Sequence, residues 1–374
     1  MTIDTARDGH RLGTQTDHKA LKDREAGRGT LHKIRLLSPG SPNRSTAIVG
    51  GEASGIVNWN DIRYPQFYDI YKILLKNFWI PDEIPMTKDV KEWDMLKSAE
   101  REAYLRTIGL LSNLDSVQTR FILEASLFVS DPSVHAILSI IAQQEAVHNQ
   151  SYSYVLSSIV SLDEQNKTFT RAHSDPAVIR RNQFIVDLYE GFRQERTALA
   201  LAKSLVGSLI LEGLNFYSGF AFFYNLARNQ KMLGTSTMIS YIQRDEMQHG
   251  YFVAMLLRAL LTEHPELDQN GEFTEFAQKT IAMAVELESA WTREVLKGLP
   301  GIDLEEMLGY VKYLANKRIS MLGLPDLYPG YTENVMPWIR AYSDENINNI
   351  KTDFFEQKAR AYSKVTDDNG FDEL

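Results

Sequence analysis

There is no cysteine among the 374 residues. That absence removes disulfides, thiolate metal ligands and cysteine nucleophiles together, and it makes a cytoplasmic setting the expectation. Positive charge is also not in excess: 40 Lys and Arg stand against 49 Asp and Glu, a formal net charge of -9. Binding to nucleic acid needs clustered cations to neutralise phosphate, so that class is set aside. Residues 1–55 mix charged residues with Gly, Ser and Thr and lack the apolar segment of a signal peptide, so they read as a flexible leader. Neither a tandem repeat nor much of the period-two alternation of strands is present. One long apolar run exists, residues 204–227, but it carries Glu212, Asn215 and three glycines. A helix apolar on all sides, with no second like it in the chain, is expected inside a large soluble bundle, not across a membrane.

What is present is helical periodicity. Hydrophobic residues at 44% and charged residues at 24% are ordinary for a soluble globular protein able to bury a sizeable core. From Asp61 onward the apolar residues recur at helical spacing, which predicts an all-α body with helices over about 64–78, 98–129, 132–160, 176–196, 198–229, 236–263, 273–297 and 304–321. Asp131 before Pro132 and Asp175 before Pro176 each place a capping side chain ahead of a proline at the first helical position. The organisation expected is a leader over 1–55, a helical domain over 56–344 and a mobile tail over 345–374, whose end, from Thr366 on, is acidic with Phe371 as its aromatic.

Two strings carry chemistry: Glu145-Ala-Val-His148 and Glu246-Met-Gln-His249. Residues three apart share a helix face, so each string offers a carboxylate and an imidazole to one point. Of the eight histidines only these two have a glutamate three residues earlier. Taken singly, such a pair is an ordinary helix surface. Two isolated acids inside apolar helices, Asp115 and Glu212, change the reading, because a buried carboxylate costs several kcal/mol unless it is paired or binds a cation. The order acid, Glu-x-x-His, acid, Glu-x-x-His over four helices is that of ferritin-like dinuclear carboxylate bundles, a pattern already described for that class. Hard oxygen donors with two imidazoles suit iron or manganese.

Tyr152 follows Glu145 by seven residues, which returns it to nearly the same face about 10 Å along the axis. By spacing alone it reads first as a core aromatic with a satisfied hydroxyl. Phe216, Phe220 and Ile242 fall on the ligand-bearing sides of their helices, as core residues that would also keep water from an oxidised phenol.

The set Asp115, Glu145, His148, Tyr152, Glu212, Glu246 and His249, with the strings Leu114-Asp-Ser-Val-Gln, Glu145-Ala-Val-His-Asn-Gln-Ser-Tyr and Arg244-Asp-Glu-Met-Gln-His, resembles the radical-generating small subunit of class I ribonucleotide reductase. The likeness runs from about Trp59 to Asp344. It implies a ferritin-like fold, the six ligands named, and a tyrosyl radical on Tyr152. It further implies radical transfer through Trp79 and Asp245, which would otherwise read as a core anchor and a surface acid, and through Tyr362 in the tail. A peptide ending in Phe371 and Leu374 would dock on the large subunit, where ribonucleoside diphosphates are reduced to deoxyribonucleotides; its plain alternative is a solvated acidic end. Two metal ions per chain are implied, iron first, with manganese or a mixed pair open and a flavoprotein activator in the manganese case. A homodimer is also implied. A cysteine-free chain cannot carry out the reduction itself. The competing expectations are a ligand-binding di-metal oxidase on the same fold, which should show an apolar substrate cavity, and a ferritin-like metal store, for which this chain is long.

Overall fold

The computed structural model describes residues 29–36 and 38–343. In chain order its helices are α1 (Pro65–Lys76), α2 (Thr87–Trp93), α3 (Ser98–Ser126), α4 (Pro132–Ile159), α5 (Leu162–Ser174), α6 (Pro176–Glu195) and α7 (Ala198–Ile210). A π-helical segment, Leu211–Asn215, leads directly on toward α8 (Tyr217–Arg228), followed by α9 (Leu233–Glu263), α10 (Glu272–Leu296) and α11 (Leu304–Met321). Among the described residues there is no strand; an isolated bridge joins Val49 to Val129. The expected all-α architecture is therefore what is found.

Local chemistry explains most boundaries. The Asp131 side chain accepts hydrogen bonds from the amides of Ser133 (2.9 Å) and Val134 (3.2 Å), and Pro132 opens α4. Asp175 accepts from Ala177 N at 2.8 Å and Pro176 opens α6. Each such cap satisfies amides that the first turn leaves without helical partners, worth about 1 kcal/mol. At the end of α6, Arg196 turns the chain with φ 52. Helix α9 starts three residues earlier than the predicted 236 because its cap is not local. Asp89 of α2 accepts from Gly234 N (2.9 Å) and Thr235 N (2.7 Å). Gly234 is required there, since a Cβ would meet Pro85 O at 2.9 Å.

Three expectations are corrected. The helix predicted over 198–229 is interrupted by the π-helical segment, an insertion that an all-apolar run cannot reveal. Helix α5 was not foreseen: it is polar nearly all round and buries only Thr168 and Ala172 against the bundle. The stretch 29–55, read as leader, lies against the body. Leu31, Ile48 and Val49 are buried, Ile34 N donates to Leu127 O at 2.9 Å, and Ile48 N donates to Glu263 at 2.7 Å. Its apolar residues are too few and too scattered to make a period. Residues 1–28 and 344–374 lie outside the described residues, and with them the rest of the leader and the tail residues Tyr362, Phe371 and Leu374.

The apolar run through α7 and α8 is buried almost throughout, with Leu205, Val206, Leu209, Ile210, Phe216 and Phe222 within 2% of complete burial. Each such side chain contributes about 1.5–3 kcal/mol relative to an exposed one. This buried, largely apolar interior is where α3, α4, the π-helical segment and α9 bring the candidate acids together.

Candidate metal centre

All six predicted ligands converge. Asp115 on α3, Glu145 and His148 on α4, Glu212 in the π-helical segment, and Glu246 and His249 on α9 are each fully buried. They divide into two overlapping groups. Asp115, Glu145, His148 and Glu246 form one, and Glu145, Glu212, Glu246 and His249 form the other; within each group the donor atoms lie within 4.8 Å of one another. Glu145 and Glu246 belong to both, the position of bridging carboxylates. From His148, Nδ1 lies 3.0 Å from Glu246, 3.5 Å from Glu145 and 3.8 Å from Asp115. From His249, Nδ1 lies 3.1 Å from Glu145 and 3.4 Å from both Glu212 and Glu246.

The arrangement fits two cations. Both oxygens of Asp115, Glu145 and Glu246, one of Glu212, and Nδ1 of each histidine are buried with no hydrogen-bond partner in the protein. Buried polar atoms are rarely left so, and a cluster of them in one place is a set of donors able to hold metal ions. Electrostatics agree. Burial first, then repulsion from Glu145 and Glu246, pushes the carboxyls of Asp115 and Glu212 well above the usual carboxylate range. Burial acts to lower both histidines, but the surrounding carboxylates outweigh it and raise them. These directions favour proton binding by the metal-free cluster, in competition with cations for the same donors.

Each imidazole is oriented from behind. His148 Nε2 faces Asp245 Oδ2 at 3.4 Å, and the same oxygen accepts from Trp79 Nε1 at 2.8 Å. His249 Nε2 faces Gln144 Oε1 at 2.9 Å. Such outer contacts fix ring and tautomer. Asp245, which alone would read as a surface acid, is fully buried, and Trp79 is buried with it. Gln118 donates to Glu212 and accepts from the Tyr189 hydroxyl at 2.6 Å. Gln144 and Gln118 were not singled out in the sequence, although each is a polar residue on the ligand face, beside Glu145 and three residues after Asp115.

Tyr152 is buried among these carboxylates; burial, then the charges of Asp115 and Glu246, raises its phenol well above its ordinary pKa. Phe216, Phe220 and Ile242 lie in the same core, Phe216 and Phe220 stacking at 5.7 Å.

A helical bundle with two Glu-x-x-His strings, two further acids and bridging carboxylates defines a ferritin-like dinuclear metal protein. The family model described as "Ribonucleotide reductase, small chain" matches residues 56–335, and the chain belongs to that family. The ribonucleoside-diphosphate reductase subunit beta of Halalkalibacterium halodurans is 47% identical over 92% of this chain and 99% of that one. The ribonucleotide reductase R2 subunit from Clostridium botulinum superposes with a TM-score of 0.81 at 33% identity, covering 84% of this chain and 99% of that one. A Streptococcus sanguinis structure titled dimanganese(II)-NrdF gives 0.67 at 25% identity, covering 75% and 97%. The activity is accordingly that of the small subunit of ribonucleoside-diphosphate reductase.

Proposed function

We propose that Tyr152 is oxidised to a stored tyrosyl radical and that the oxidising equivalent passes between the metal centre and the large subunit through His148, Asp245 and Trp79. The observation that carries this reading is the unbroken chain from Trp79 Nε1 to Asp245 Oδ2 to His148, whose other nitrogen faces the ligand carboxylates. A pair of redox metal ions supplies oxygen activation when bound. The rest falls to side chains. Tyr152 starts as a neutral phenol, so its oxidation removes one electron and one proton from its hydroxyl, and Asp115 is the carboxylate beside it. Burial of Tyr152 in the core that also holds Phe216, Phe220 and Ile242 keeps water and reductants from the phenol. Asp245 holds the Trp79 indole and the His148 ring in one hydrogen-bonded path.

Iron is the metal we assign first. The S. sanguinis relative is titled as a dimanganese(II) form, and the same donors accept manganese or a mixed pair, in which case a flavoprotein activator is expected. The organisation proposed is an N-terminal stretch over 1–55 that is packed on the body from residue 29 on, the metal-binding bundle over 56–344 and a tail over 345–374 that brings Tyr362 and the end Phe371 to Leu374 to the large subunit. A homodimer in the cytoplasm is the assembly and setting. The oxidase alternative calls for an apolar cavity beside the ligands, whereas the hollows of about 580 and 600 Å³ among the described residues are lined mainly by residues 29–58 and by no ligand residue. Reconstitution with the large subunit tests the radical role. Tyr152→Phe is expected to keep two metals per chain and lose ribonucleotide reduction; reduction retained at the wild-type rate would contradict storage on Tyr152.

A further inference from the structure

Glu212 stands in the one π-helical segment among the described residues, and two buried arginines from other helices hold that segment. A π-turn inserts a residue and interrupts the regular ladder, leaving backbone carbonyls that need other donors. Arg181 on α6 donates to Asn215 O. Its guanidinium is held in turn by Glu288 of α10 at 2.5 Å and by Asn182 at 3.0 Å, and lies 5.5 Å from the Trp291 ring. Arg318 on α11 donates from Nε to Gly213 O at 2.9 Å and from its terminal nitrogen to the Tyr217 hydroxyl at 3.1 Å. No carboxylate among the described residues pairs with Arg318, so its buried charge is spent on a carbonyl next to a metal ligand and not on an ion pair. Gly213 completes the fit, because a Cβ there would fall on the Arg318 side chain.

We propose that Arg181 and Arg318 clamp the π-helical turn and thereby position Glu212, the carboxylate confined to the second of the two metal pockets. Both are positioning residues, neither touching the pocket itself. The inference rests on the dinuclear reading of the site. Its consequence is selective: the pocket of Glu145, Glu212, Glu246 and His249 depends on the clamp, and the pocket containing Asp115 and His148 does not.

Manganese(II) binding to the metal-free protein, followed by calorimetry and by electron paramagnetic resonance, separates the two pockets without any assay of activity. The wild type is expected to bind two ions, and fewer than two would sink the dinuclear reading itself. Arg318→Lys keeps stem and charge but loses the planar fork, and Gly213→Ala pushes the intact arginine away. Each is expected to weaken one of the two ions by about tenfold, the effect typical of outer-shell partners, and to leave the other as in the wild type. The double variant is expected to be no weaker than the worse single one, since both changes act on the same contact. Folded variants that bind both ions with wild-type affinity would overturn the clamp. So would equal weakening of both ions in step with a fall in Tm, which is general loosening. If Gly213→Ala does not fold, Arg318→Lys decides by the same outcomes, and Arg181→Lys, which removes the second donor, repeats the test from the other side of the clamp.

Discussion

The Trp79 indole donates to the Asp245 carboxylate at 2.8 Å across 166 positions of sequence, and the accepting oxygen is the one that faces His148. One atom therefore links the buried Trp79 indole to a candidate metal ligand.

Asp245→Asn should weaken this link while changing little volume: the amide oxygen can stand where Oδ2 stands, but the negative charge facing the His148 ring is lost and the amide nitrogen, in place of Oδ1, turns a donor toward the Arg244 guanidinium. Metal content is expected to stay at two ions per chain. Metal affinity should fall by about 10–100-fold, and ribonucleotide reduction with the large subunit should fall by at least tenfold. Metal titration and a reconstituted assay measure both. Wild-type turnover would remove Asp245 from the path.

Metal loading should release protons. Asp115 and Glu212 hold raised pKa values, first through burial and then through neighbouring carboxylates, and His148 and His249 are raised as well. Ligands must be deprotonated to bind, so apparent affinity rises with pH. Calorimetry in two buffers of different ionisation enthalpy gives the proton count, and a count of zero at neutral pH would contradict this electrostatic account.

Asp175 joins the cap of α6 to Arg106, whose guanidinium lies 2.8 Å away. Burial acts to raise the Asp175 carboxyl, but the Ala177 amide and Arg106 outweigh it and hold it below the usual carboxylate value. A depressed pKa gives stability that is present above the unfolded-state pKa and lost as pH falls through the folded-state value. Asp175→Ala is thus expected to cost about 1 kcal/mol or more at neutral pH. The gap to the wild type should narrow in more acidic solution. Urea unfolding at both pH values checks this, and a gap independent of pH would assign the cost to packing alone.

The convergence of the six candidate ligands was legible because metal-binding chemistry imposes a pattern on a helix. Glu145 with His148 and Glu246 with His249 must sit three apart to share a face, and Asp115 and Glu212 are conspicuous as lone acids in apolar surroundings. The helix starts at Pro132 and Pro176 were legible because Asp-Pro acts locally. What was not legible depends on contacts distant in sequence. Gln118 meets Glu212 across 94 positions, Asp89 caps α9 across 145, and nothing near either residue announces the partner. The π-helical segment is hidden because one inserted residue leaves no trace in a run that is apolar on nearly every side. Helix α5 is hidden for the opposite reason, since it has almost no apolar face.

The central claim is a dinuclear centre that oxidises Tyr152. Its most direct test is to load the metal-free protein with ferrous iron, admit oxygen, count metals and record the electron paramagnetic resonance spectrum beside that of Tyr152→Phe. Two metals per chain and a tyrosyl signal that vanishes in the variant are predicted. A chain that binds no metal, or a tyrosyl signal that survives the loss of Tyr152, would contradict the account.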